Sequence, residues 1–162
     1  MTDQMIFYYT YSTPLGLVTL GCIAETLVLC QFGQIDIDYG IYKETVFLQK
    51  AYRQLQEYFQ KKRTSFDLDY QFVSGTSFQQ KVWKALLDIP YGQVVSYRDI
   101  AKAVGSPRAC RAVGGANHQN PIAIFVPCHR VIGANKKLVG YGGGLDKKIY
   151  LLNLEGFSNW KE

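Results

Sequence analysis

The 162-residue sequence has no apolar run near the roughly 20 residues that a membrane-spanning helix requires. It begins without the basic-then-apolar pattern of a secretory signal, so a soluble, cytoplasmic protein is expected. No two of its four cysteines stand at CxxC spacing, and only two histidines accompany them, which argues against both a disulfide framework and a zinc site. It has no GxxxxGK[ST] phosphate loop, no internal repeat and no low-complexity tract. Charged residues make up only 19% and apolar residues 48%, which excludes a disordered chain. A chain of this length buries enough surface to fold without staples, as one domain or two small lobes.

The net charge of +5 is unevenly placed. Residues 1–73 carry 6 basic and 8 acidic side chains, whereas residues 74–162 carry 12 basic and 5 acidic. An excess confined to one half points to a polyanionic partner for that half. The pattern of structure changes at the same seam. Before it, Met5–Tyr11, Leu15–Ile23 and Thr26–Phe32 alternate as strands, with Pro14-Leu15-Gly16 and Gly33 as turn signals. Leu48, Ala51, Leu55 and Phe59 then recur at helical spacing over 44–60, and Thr64–Phe72 reads as another strand.

After the seam the reading is helical. Ser77 and Gln80 form a capping box for a helix carrying Phe78, Val82, Leu86 and Ile89, closed by Pro90 and Gly92. Ser96 and Asp99 cap a second, which Gly105 ends, and Ser106-Pro107 is expected to open a third at once. The last pair has the layout of a helix-turn-helix. A final helix covers 145–154, with Leu145, Ile149 and Leu152 inward. The predicted class is α+β: a sheet-and-helix lobe, 1–73, and a mostly helical lobe, 74–162.

The third helix carries Arg108 and Arg111 among the small residues Ala109, Ala112, Gly114, Gly115 and Ala116. Small residues permit close approach, either of the protein's own core or of a DNA minor groove only about 6 Å wide. Further on, the apolar run Ile122–Val126 leads into Pro127-Cys128-His129-Arg130. A thiol is a nucleophile only as its thiolate, and a neighbouring base and cations raise that fraction. A buried cysteine with a solvated His-Arg pair remains the alternative. Cys22 and Cys30, in strand-like runs, read as packing residues.

Pro-Cys-His-Arg after an apolar run, with Arg111-Ala112-Val113-Gly114-Gly115-Ala116-Asn117 and Asn120-Pro121 before it, resembles the 6-O-alkylguanine-DNA alkyltransferases. The likeness extends through Val94-Val95-Ser96-Tyr97, Gly140-Tyr141 and Leu151-Leu152-Asn153-Leu154-Glu155-Gly156. It implies a ribonuclease H-like N-terminal lobe and a C-terminal lobe that binds DNA and carries the chemistry. Cys128 would accept the alkyl group from O6 of guanine, and O4 of thymine is a further candidate. His129 would be its base, through a water, oriented by Glu155, and Tyr97 would donate a proton to the leaving guanine. Arg111 would fill the stack when the damaged nucleotide is flipped into the pocket, with Arg108, Ala112, Gly114 and Gly115 at the minor groove. The backbones of Cys128 and Val131 and the amide of Gly142 would meet the guanine edge; Tyr141 would wall the pocket and Asn120 pin the cysteine loop. Many relatives have Ser where this chain has Gly142, a change that keeps a backbone contact and removes a hydroxyl.

The same resemblance implies no cofactor or metal and double-stranded DNA as partner; a stoichiometric reagent needs no second subunit, so a monomer is expected, and the lack of a long apolar run predicts no membrane association. A catalytically silent damage-binding relative, a Cys-His hydrolase and a helix-turn-helix regulator with an inert cysteine are the competing readings.

Overall fold

A computed structural model describes residues 5–160, which form two compact units. The first comprises the chain up to Val73 together with Pro121–Phe125; the second comprises Ser74–Asn120 and the chain from Val126 onward. The architecture is α+β. Residues 121–125, assigned by sequence to the C-terminal lobe, therefore belong with the sheet. Among the described residues no helix is long and apolar enough to cross a membrane.

In the first unit β1 (Ile6–Thr13), β2 (Gly16–Ile23) and β3 (Thr26–Phe32) form an antiparallel meander. Gly16, at φ +96°, allows the tight reversal between the first two, and the Thr13 hydroxyl donates to its carbonyl at 2.7 Å. Two short parallel strands flank the meander, β4 (Gly40–Tyr42) beside β1 and β5 (Asp69–Tyr70) beside β3, giving the order β4-β1-β2-β3-β5. The strand predicted over 64–72 thus shrinks to two residues. Helix α1 (Val46–Phe59) is capped by Thr45, whose hydroxyl accepts from Leu48 N at 3.1 Å. It buries Leu48, Ala51, Leu55 and Tyr58, while Val18, Leu20, Cys22, Leu27 and Cys30 are buried on the strands. Each buried leucine contributes about 1.5–3 kcal/mol of transfer free energy to this core.

The segment 121–125 joins the sheet through Cys30. Cys30 N donates to Pro121 O and Ala123 N to Cys30 O, each at 2.9 Å. The chain then turns sharply at Ile124, which is buried at φ +72°, a conformation a β-branched residue rarely adopts. The Phe125 ring meets Phe66, with centroids 4.5 Å apart.

The second unit holds α2 (Ser77–Leu86), α3 (Tyr97–Ala103), α4 (Cys110–His118) and α5 (Leu145–Leu154), with a parallel pair of two-residue strands, β6 (Val95–Ser96) and β7 (Val131–Ile132). The capping box of α2 is Thr76 with Gln79, one residue before the expected one, while Ser96 and Asp99 form the box of α3 as read. The start of α4 differs more. Ser106 and Pro107 lie in a turn, Ala109 caps the helix without a side-chain bond, and Arg108 precedes the helix instead of riding on it. In α5 the inward face is Lys148, Leu151 and Leu152; Leu145, expected inside, is 43% exposed.

Candidate active site

The site is assembled in the second unit. Pro127 ends the chain's approach from Val126, and Cys128–Arg130 make a single 3-10 turn that leads directly into β7. All three side chains of that turn are buried. The loop before the turn is fixed by Asn120, whose Nδ2 donates to Val126 O at 2.8 Å, and by Cys128 N, which donates to Val126 O at the same distance. Asn117 Nδ2 donates to the Cys128 carbonyl at 3.2 Å. Helix α4 thus holds the cysteine turn by its C-terminal end. Its own position is set by Trp83 of α2, whose indole N–H donates to Ala116 O at 2.7 Å inside the unit.

Burial pushes the Cys128 thiol up, and the side chain of Asn120, the charge of Lys148 and the side chain of Tyr141 act against it. His129 is fully buried and its Nε2 pairs with Glu155 Oε2 at 2.7 Å. Glu155 follows α5 as its C-cap and also accepts from Arg130 Nε (2.8 Å), Arg130 Nη2 (2.9 Å) and Gly92 N (3.2 Å). Gly92 is required here, since its φ is +79° and a Cβ would stand 3.0 Å from the Glu155 carbonyl. Burial alone would raise the Glu155 carboxyl, but the His129 and Arg130 bonds outweigh it and hold the group well below the usual carboxylate range. With Nε2 committed to a carboxylate, Nδ1 is the free basic nitrogen of His129; it has no hydrogen-bond partner among the described residues.

Tyr97, the first residue of α3, has its phenol pushed up by burial and then by the nearby Cys128, so it stays a proton donor at neutral pH. With Cys110, Arg111, Gly114, His118, Val139 and Gly140 it lines a cavity of about 410 Å³. Arg108, Arg111, Ala112 and Gly115 are exposed, and neither arginine makes an ion pair among the described residues. A Cβ added at Gly115 would meet nothing within 4 Å, and one at Gly114 only Tyr97 at 4.0 Å. The two glycines of this face are therefore not demanded by the protein's own packing, whereas Ala116 is buried in it. Val131 and Tyr141 are buried, and Gly142 is exposed where a Cβ would approach the His118 carbonyl to 3.3 Å.

The sequence reading missed three polar contributors. Arg130, read as solvated in the alternative for the motif, is 7% exposed. Lys148 is completely buried, donating from Nζ to Val131 O at 2.7 Å and Val139 O at 3.1 Å, and burial lowers it to about 8. Asn117 was only part of a motif. A clue to Lys148 was present: 148, 151, 152 and 155 follow one helical face, but a search for apolar side chains passes over a lysine. Among the described residues no group of three or more His, Cys, Asp or Glu side chains is placed to hold a metal ion.

A nucleophilic thiol, an imidazole fixed by a buried carboxylate and a phenol donor near the thiol suit displacement of a leaving group that needs a proton. The family model described as 6-O-methylguanine DNA methyltransferase, DNA binding domain, matches residues 77–157. The chain is 46% identical over 155 residues to the methylated-DNA–protein-cysteine methyltransferase of Methanosarcina acetivorans, covering 93% of this chain and 99% of that protein. It is 47% identical over 162 residues to the constitutive methylated-DNA–protein-cysteine methyltransferase of Bacillus subtilis, covering 95% and 98%. Its structure resembles that of Mycobacterium tuberculosis OGT in complex with DNA, with a TM-score of 0.86 at 47% identity over 92% of each chain. Such agreement spans both units as well as the Pro-Cys-His-Arg turn, and the chain belongs to the 6-O-methylguanine DNA methyltransferase family.

Proposed function

We propose that this protein repairs DNA by direct reversal, taking a methyl or other alkyl group from O6 of guanine onto Cys128 in a single irreversible turnover. The observation that carries the reading is the buried thiol of Cys128 on the same turn as a histidine whose Nε2 is bound by Glu155. His129 Nδ1 takes the thiol proton through a water, and the thiolate attacks the alkyl carbon. The new S–C bond forms as the C–O bond breaks, and its electrons pass to the guanine, which accepts a proton from Tyr97. The base then leaves neutral. The product is a thioether with no carbonyl for water to attack, so the thiol is not regenerated and each molecule repairs one lesion.

Reaction at a base edge inside a duplex requires the nucleotide to leave the stack, at a cost of a few kcal/mol. The exposed face of α4, with Arg111 and its open glycines, suits entry into the minor groove, and Arg111 fills the gap in the stack. Asn120 pins the cysteine turn, Tyr141 walls the pocket, and the backbones of Cys128 and Val131 with the amide of Gly142 meet the guanine edge. A monomer suffices for a reagent of this kind, and a cytoplasmic location suits one whose substrate is the cell's own DNA. A hydrolase would leave Arg111 and the glycine face without a task.

Incubation with a duplex carrying one O6-methylguanine should add a single methyl group to the intact protein, and a peptide map should place it on Cys128. A lesion that persists beside unmodified Cys128 overturns the reading. Arg111→Ala should slow repair of the duplex by about ten- to a hundredfold while leaving reaction with free O6-methylguanine nearly unchanged, the difference being a few kcal/mol of unstacking. Rates of both reactions under single-turnover conditions check this. Equal losses would mark Arg111 as a support of the fold.

A further inference from the structure

Arg130 takes no part in the chemistry described above, yet all three of its guanidinium nitrogens are hydrogen-bonded. Its Nε and Nη2 reach separate oxygens of Glu155, at 2.8 and 2.9 Å, and its Nη1 donates to Ile89 O at 2.7 Å. The Tyr91 ring covers it, with the guanidinium carbon 5.8 Å from the centroid, and the Tyr91 hydroxyl donates to Leu154 O at 3.3 Å. Glu155 Oε2 is therefore shared between Arg130 Nη2 and His129 Nε2, while Oε1 takes Arg130 Nε and the Gly92 amide.

An imidazole beside a buried carboxylate that has no other partner is stabilised as the imidazolium and holds its proton. A protonated His129 offers no basic nitrogen to Cys128. The carboxylate thus has two effects on a histidine base: it orients the ring, and it also tends to occupy the site that the base needs. A bidentate guanidinium on the same carboxylate separates them, because it balances the negative charge and leaves one oxygen lone pair for Nε2–H.

We propose that Arg130 is a positioning residue for alkyl transfer: by clamping both oxygens of Glu155 it lets that carboxylate fix the His129 ring without charging it, so that His129 meets Cys128 as a neutral base. The proposal rests on the functional reading above. The charges that act on His129 come from Glu155 and Lys148 on the α5 side and from Arg130 on its own turn. Helix α2, which also packs against the turn, buries Val82, Trp83 and Leu86 and brings no charge to it. One carboxylate therefore faces two cations, and a third cation at His129 is unwelcome. Burial lowers His129 from its ordinary range, the Glu155 contacts oppose that, and Arg130 and Lys148 add to it.

Two substitutions separate charge from geometry. Arg130→Met removes both; Arg130→Lys keeps the charge and loses the fork. In the unaltered protein, ¹⁵N-histidine NMR should show His129 as the neutral Nε2–H tautomer well below pH 6.5. His118, the other of the two histidines, is identified by its loss in His118→Gln. Arg130→Met should raise the titration of His129 and move the acid limb of the alkyl-transfer rate up with it. Each unit of that rise lowers the neutral fraction on the acid side about tenfold, so activity falls at pH 6 and recovers toward pH 8.5. Arg130→Lys should lower the rate by one factor at all pH values, with the titration nearly unmoved.

A purely structural role would give uniform losses in both variants and a His129 titration that ignores them, which overturns the proposal. So does an unaltered protein in which His129 titrates near 6.5 or carries its proton on Nδ1, a result available even where Arg130→Met fails to fold. The titration needs no substrate. A protein whose ring follows Arg130 but which moves no alkyl group overturns the functional reading alone.

Discussion

Cys128→Ala should show no transfer of alkyl group at any enzyme excess, with the fold and binding to duplex DNA retained. The loss is total because sulfur is a reactant in the proposed chemistry: without it no bond forms to the alkyl carbon, and His129 alone only activates water against a carbon that water attacks poorly. The change removes one buried sulfur from a turn held by backbone and amide bonds, namely Asn120 to Val126 O and Asn117 to Cys128 O. Neither bond involves the thiol, so the structural cost is limited to a small cavity and the thiol's own contacts with Asn120 and Tyr141, about 1 kcal/mol. Intact mass after long incubation, with a urea melt and a DNA titration as controls, gives the result. Residual transfer would implicate Cys110, half-buried and in the wall of the cavity that Tyr97 lines, and would displace Cys128 as the acceptor.

Glu155→Ala should be the most destabilising single change in the site. It strands the buried guanidinium of Arg130 without an anion and the Nε2–H of His129 without an acceptor, and it frees the Gly92 amide. Removing one partner of a buried ion pair costs about 3–5 kcal/mol, a large part of the roughly 5–15 kcal/mol that holds an ordinary domain together. Glu155→Gln, which keeps shape and two of the hydrogen-bonding positions, should cost less and should slow transfer without abolishing it. Urea midpoints at pH 7.5 measure both. A Glu155→Ala midpoint equal to that of the parent would mean the cluster contributes no net stability.

The same cluster sets the acid response of the parent protein. His129 is held below its ordinary 6.5, so as pH falls through that value the unfolded chain binds a proton that the folded one refuses. Glu155 is held below 4.5, which extends the loss of stability further into acid. Both effects carry one sign, and neither is present above pH 7.

Local pattern made much of this architecture legible. Strands β1 to β3 follow from alternation and their turn glycines, α1 from the spacing of Leu48, Ala51 and Leu55, and α3 from the Ser96–Asp99 box. What stayed hidden depends on partners distant in sequence. The pairing of Val95–Ser96 with Val131–Ile132 spans two residues on each side, too short for any periodicity. Ile122–Val126 reads as one apolar run, yet it makes a single bridge to Cys30 and then turns at Ile124. In the site, Cys128 and His129 are legible in the Pro-Cys-His-Arg run and Glu155 through the family resemblance, whereas Arg130 reads only as a cation beside the thiol or as solvated, and Lys148 only as part of the basic half. Their burial depends on Glu155, Ile89 O, Val131 O and Val139 O arriving at the right places. The positive excess displayed to DNA is accordingly smaller than the arithmetic of the sequence suggests.

The membership of Pro121–Phe125 in the sheet bears on how such a protein can be inherited in pieces. The chain enters the first unit, leaves it at Val73, returns for five residues and leaves again. A gene shortened to the helical part would still encode Ile122, Ile124 and Phe125, all nearly inaccessible in the intact protein, but not the Cys30 backbone or the Phe66 ring that receive them. In such a fragment those side chains lack the partners that cover them, and a single crossover at the seam between relatives preserves the fit only when their pentapeptide and sheet edge already agree.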